Sequence, residues 1–253
     1  MSSVLEVKDL CKEYPKFKLD HVSFSIEKGS IMGLIGRNGA GKTTTMKSIL
    51  NLIHVNGGEI RFFGMDLKDN EAAIKERIGY AGGAVDYYKK KSIRSFVEVT
   101  KKFYPNWDEE LYRSYMELFH LDEEKTPAEL SEGMKVKLNL TIALSHHAEL
   151  LILDEPTSGL DPVSREELLE VFRFLAERGI TILFSTHITS DLDKCADHIT
   201  YIKQGRVEKT GSIKDIMDEA QREGFGTTLE EVMLHYEKDV NTDRLKELYE
   251  RMA

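Results

Sequence analysis

Residues Gly36 to Thr43 read GRNGAGKT, a G-x-x-x-x-G-K-[ST] spacing that follows the apolar run Ile31 to Ile35 and opens a helical pattern. That combination binds phosphate. Gly36, Gly39 and Gly41 let the backbone curl so that successive N–H groups point inward at phosphate oxygens, and the following helix adds the positive end of its dipole. Arg37, Asn38, Ala40 and Thr44 complete the stretch expected to cradle a nucleotide. Lys42 is expected to reach the β- and γ-phosphates, and the Thr43 hydroxyl to ligate Mg²⁺. A second stretch, LDEPTSGLD at 153 to 161, sets Asp154 and Glu155 side by side after the apolar residues Leu150 to Leu153. Neighbours on a strand face opposite ways, so the two carboxylates are expected to have different tasks. Asp154 is assigned to Mg²⁺, and Glu155, nearer the γ-phosphate, to accept a proton from the attacking water. The expected cofactors are therefore ATP and Mg²⁺. Asp161 before Pro162 reads as a helix N-cap with proline at the first helical position.

Positioning these groups needs an α/β fold. Short alternating runs from Val4 to Ile35, broken at Tyr14-Pro15 and Lys28-Gly29, predict antiparallel strands leading into a buried strand. A helix is expected from Lys42 to about Ile53, then a hairpin-like return at NGGEIRFFG and a strand at RIGYAG. From about Ser92 to His146 the apolar residues keep helical spacing, with Pro105-Asn106 between two helices. Strand and helix then alternate again through LLILD, GITILFST and HITYIKQGRVEKTG. The expected division is a core of 1–90 and 147–211 with an antiparallel β subdomain, a helical subdomain at 91–146, and a helical extension at 212–253.

Composition excludes several classes. The 253 residues carry 44 acidic and 35 basic side chains, a formal charge of −9, which argues against a nucleic-acid surface. Apolar runs such as LLIL fall far short of the roughly 18 residues that span a bilayer, and MSSVLEVKDL lacks a signal-peptide pattern. A cytoplasmic chain is expected. Cys11 and Cys195 match no metal or redox spacing.

Taken together, these motifs resemble the nucleotide-binding subunit of ABC transporters, whose fold is a P-loop NTPase core of RecA type. LSEGM, Leu130 to Met134, resembles the family signature LSGGQ. The resemblance implies that Ser131 and Gly133 grip the γ-phosphate of ATP on an opposing subunit, that SGLD at 158 to 161 crosses the dimer interface, and that His187 in STH contacts the γ-phosphate. It also implies that Tyr14 in KEYPKFK stacks on adenine. One family element is missing: a glutamine should follow the strand RIGYAGG, yet the chain reads Gly82-Gly83, with Asp86 the nearest candidate to replace it. YYKKK, Tyr87 to Lys91, lies where the family docks its membrane subunit. The implied function is an ATPase that sandwiches two ATP as a homodimer or heterodimer and drives a separate transmembrane permease, peripheral to the inner face of the plasma membrane. TTLEEVML and FYPNWDEELY resemble subunits of bacterial exporters. The alternatives are a catalytically weak nucleotide-gated clamp, the degenerate half of a heterodimer, or a soluble ABC protein outside transport.

Overall fold

In a computed structural model of the chain, residues 3–82 and 91–237 are described. Asp86 and Tyr87 to Lys90 lie outside them. Two sheets form the frame. Strands β1 (Ser3–Tyr14), β2 (Phe17–Glu27), β4 (Gly57–Phe62) and β5 (Met65–Asp66) make an antiparallel sheet in the order β2-β1-β4-β5. Strands β3 (Ile31–Ile35), β6 (Ile78–Gly82), β7 (Leu150–Asp154), β8 (Thr181–Thr186), β9 (His198–Lys203) and β10 (Arg206–Ser212) make a six-stranded sheet in the order β10-β9-β3-β8-β7-β6. All its neighbours run parallel except β10, which returns antiparallel to β9.

Burial on both faces explains why β3, β7 and β8 read as unbroken apolar runs rather than alternating ones. Leu151, Leu153, Ile182 and Phe184 face one core, while Leu150, Ile152 and Leu183 face another. The second core also receives Met46 and Ile49 of helix α1 (Lys42–Ile49), Ile74 of α2 (Leu67–Lys75) and the inner face of the antiparallel sheet. Helix α1 stops at Ile49, short of the predicted Ile53, because Asn51 turns into the left-handed region at φ 54°.

Helices α3 (Ile93–Thr100), α4 (Glu109–Leu118) and α5 (Glu132–Ser145) follow β6. Ile93, Val97, Tyr112, Met116 and Leu138 form a third, separate core among them. Helix α5 spans two regions, since Leu140, Ala143 and Leu144 join the core under β7. That core is completed by α6 (Pro162–Glu177), α7 (Thr189–Cys195), α8 (Ile213–Glu223) and α9 (Leu229–Glu237), with Ile216, Ala220, Val232 and Met233 buried in it. No helix among the described residues is long and apolar enough to cross a membrane.

Candidate active site

The phosphate loop joins the end of β3 to the start of α1, as the sequence predicts. Gly41 has φ 119°, which a side chain would strain, and a Cβ there would lie 2.8 Å from Leu19 Cδ2 and 2.9 Å from Phe17 Cζ, so those two side chains would have to shift. Arg37, Asn38 and Gly39 are exposed at the bend, whereas Ala40 is buried and exchanges backbone hydrogen bonds with Arg37 and Gly205. Thr44 is half-buried in the first turn of α1. The Lys42 side chain is 6% exposed, and its ammonium donates to the Gly36 carbonyl at 2.7 Å and lies 3.1 Å from Glu155 Oε1.

Asp154 closes β7 directly opposite Ser185 on β8. Strand alternation sends both to the face carrying α1, where Thr43 Oγ1 donates to Asp154 Oδ2 at 2.8 Å and Ser185 Oγ donates to Oδ1 at 2.5 Å. The same Ser185 oxygen accepts from the Glu155 N–H at 2.8 Å.

Glu155 and Asp154 have different side-chain partners. The strand ends at Asp154 and Glu155 has φ 51°, so the alternation rule stops one residue too early to apply. The left-handed turn brings its carboxylate to Lys42 and to His187 Nδ1, 2.9 Å away. An ionised carboxylate only accepts, so Nδ1 carries the proton in this pair. Glu155, Lys42 and His187 thus form one cluster, joined through Ser185 to Asp154 and Thr43. Thr43 and Asp154 offer adjacent oxygen donors, the donor type that suits Mg²⁺, an ion that takes one or two protein ligands and keeps waters and phosphate oxygens for the rest. A cleft of about 290 Å³ opens beside the carboxylates, lined by Lys135, Asn139, Asp154, Glu155 and Ser158. A larger cleft, about 520 Å³, lies between the two sheets and touches none of these residues; chemistry locates the site here, not size.

Ser131 and Gly133 stand apart. Ser131 caps α5 by accepting from the Met134 N–H at 3.2 Å, and Gly133 faces Leu160 and Ser164 at the start of α6. No hydrogen bond or ion pair among the described residues links either to the phosphate loop. Asp161 caps α6, accepting from Val163 N and Ser164 N. Tyr14 is exposed at the end of β1 with the Lys12 ammonium 4.9 Å over its ring; an aromatic that meets the phosphate loop is Phe17, the first residue of β2, paired with Tyr14 across the Pro15-Lys16 turn. Sequence reasoning missed Phe17 and Ser185. The second left a signal: a hydroxyl two residues before His187, at the end of an apolar strand.

The ABC transporter family profile matches residues 19–158. A bacitracin transport ATP-binding protein, BcrA of Bacillus licheniformis, is 37% identical over 211 residues, covering 82% of this chain and 69% of that protein. The ABC transporter ATP-binding protein YtrB of Bacillus subtilis (strain 168) is 32% identical over 202 residues, covering 79% and 69%. A solved ATP-binding subunit of an ABC transporter superposes with a TM-score of 0.81 at 30% identity, over 92% of this chain and 98% of that one.

Proposed function

The chain belongs to the ABC transporter family as an ATP-binding subunit with ATPase activity, and we propose that two copies enclose two Mg²⁺-ATP and drive a separate membrane-spanning permease that exports its substrate. The observation that carries the catalytic part is the convergence of Lys42, Glu155 and His187 at the mouth of the phosphate loop, with distances of 3.1 Å and 2.9 Å about one carboxylate.

In this reading the loop's N–H groups and the α1 N-terminus hold the phosphates, and Lys42 pairs with the β- and γ-oxygens. Phosphate then competes with Glu155 for the ammonium. Freed from that pair, the carboxylate accepts the proton of the attacking water, while Nδ1 of His187 fixes its orientation. Nε2, the ring nitrogen that does not face Glu155, is the one available to the γ-phosphate. Thr43 and Asp154 would hold Mg²⁺, which would supply charge neutralisation to the phosphates. Ser185 holds Asp154 and the Glu155 backbone in register. Ser131 and Gly133 then serve the nucleotide of the second copy, and Tyr14 and Phe17 are the aromatic groups available to the base. Export rests on the antibiotic-transport relative and on the exporter-like segments at 103–112 and 227–234.

Steady-state ATPase of the purified chain tests the paired reading. A rate that rises with the square of protein concentration at low concentration is expected. A rate that stays linear over a concentration range in which sedimentation shows the ATP-loaded chain to be monomeric means that one copy suffices, and the sandwich reading fails.

A further inference from the structure

Gly82 closes β6, the edge strand next to β7, and its side-chain space is already filled. A Cβ built there would lie 1.8 Å from the Tyr80 hydroxyl oxygen and 2.2 Å from Tyr80 Cζ. The tyrosine ring therefore runs forward along the strand and delivers its hydroxyl to the level of residue 82. Gly82 pairs in register with Asp154, and Tyr80 with Ile152. Residues two apart on a strand share a face, as do paired residues on neighbouring strands, so Tyr80 shares the face of Asp154, Ser185 and α1. Asp154 is also one of the charges that Tyr80 senses, after burial of its own ring.

The ring leaves 37% of the residue exposed, at the rim rather than inside a core. Phenylalanine would cover the same apolar surface. What the hydroxyl adds is a donor and acceptor at the strand end where the oxygen ligands Thr43 and Asp154 meet. We infer that Tyr80 is a further positioning residue of the hydrolytic site, its hydroxyl orienting a water of the Mg²⁺ shell held by Thr43 and Asp154. The inference rests on the reading of those two residues as magnesium ligands. It gives Gly82 a specific role: a side chain there would require the Tyr80 ring to leave this place.

The test is a Mg²⁺ titration of the binding of a non-hydrolysable ATP analogue to the full chain, followed by calorimetry, for wild type, Tyr80→Phe, Gly82→Ala and the double variant. Loss of one neutral hydrogen bond should raise the half-saturating Mg²⁺ concentration about three- to tenfold in Tyr80→Phe. Affinity in EDTA and the Tm should stay near wild type, which a merely structural tyrosine would not predict alongside a Mg²⁺ shift. Gly82→Ala should shift the midpoint in the same direction, and the double variant should shift it no further than the larger single effect. A Tyr80→Phe chain that titrates like wild type overturns the inference while leaving the magnesium ligands standing. If analogue binding by wild type does not respond to Mg²⁺ at all, the ligand reading falls and takes this inference with it.

Discussion

Two regions of this molecule carry serine hydroxyls at sites of interest, and they are built in opposite ways. Ser185 sits at the end of a buried strand, bonded at 2.5 Å to Asp154 and at 2.8 Å to the Glu155 backbone, inside a cluster drawn from β3, β7 and β8. Ser131 sits at the start of α5, exposed, its hydroxyl bonded among the described residues to its own helix at Met134 N. The first region is assembled within one chain. The second, resting on a separate small core around Tyr112 and Met116, has its polar groups turned outward and no partner in the phosphate loop. On the proposed reading, the difference marks where a second copy would be needed: the Glu155 cluster is assembled within one chain, and the Ser131 segment would be offered to another.

The sharpest way to break that contrast is to remove the function of the complete half. Glu155→Gln should lower turnover by about a hundred- to ten-thousandfold, the usual worth of a general base. Nucleotide should still bind, and the ATP-loaded pair should accumulate and be visible by size-exclusion chromatography. Full activity in this variant would remove Glu155 from its role.

The seam between the two regions gives the next largest effect. His146 is buried at the end of α5, stacked on Tyr104 at 3.8 Å with Nδ1 3.2 Å from the Glu76 carbonyl. Burial pushes its imidazole down to about 4, against an unfolded value near 6.5. Between those values the unfolded chain binds the proton and the folded chain does not. Stability is therefore full above pH 6.5 and falls as pH drops toward 4, by up to about 3 kcal/mol for this group. Urea unfolding at pH 7, 5.5 and 4.5 should show that loss in wild type and a shallower one in His146→Phe. Parallel slopes for the two chains would exclude His146 as the cause.

The smallest expected change is at the outward-facing serine. Ser131→Ala deletes the cap of α5, a loss of about 1 kcal/mol in thermal or urea unfolding. Binding of ATP to one copy, measured under conditions too dilute for pairing, should be unchanged because Ser131 touches none of the phosphate-loop residues. The pairing itself should weaken. A large loss of ATP affinity in the dilute chain would mean that the two regions meet within one molecule, against the contrast drawn above.

Much of the active half was legible because its information is local. Eight consecutive residues from Gly36 to Thr43 specify a loop whose glycines and lysine have only one common use, and the apolar run before them and the helical pattern after them fix its orientation. Asp154 was legible for the same reason, as a carboxylate ending a buried strand. Ser185 and Phe17 were not. A serine near the end of one strand and a phenylalanine at the start of another are ordinary residues until their neighbours are known. What strand alternation could not supply was the path of Glu155 to Lys42 and His187, because a left-handed residue ends the strand there.

The sequence by itself determined the phosphate loop, the succession of strands and helices, and the kinds of side chain present at each strand end. Such features depend on backbone conformation and burial within a few residues. Tertiary structure alone decided which strand ends become neighbours. The order β3-β8-β7-β6 brings residues 36–43, 154–155 and 185–187 together across more than a hundred positions of chain, and places the Tyr80 hydroxyl over Gly82 beside Asp154. No local pattern encodes that meeting, because parallel strands are joined by long crossovers and their order is set by how the helices cover both faces of the sheet.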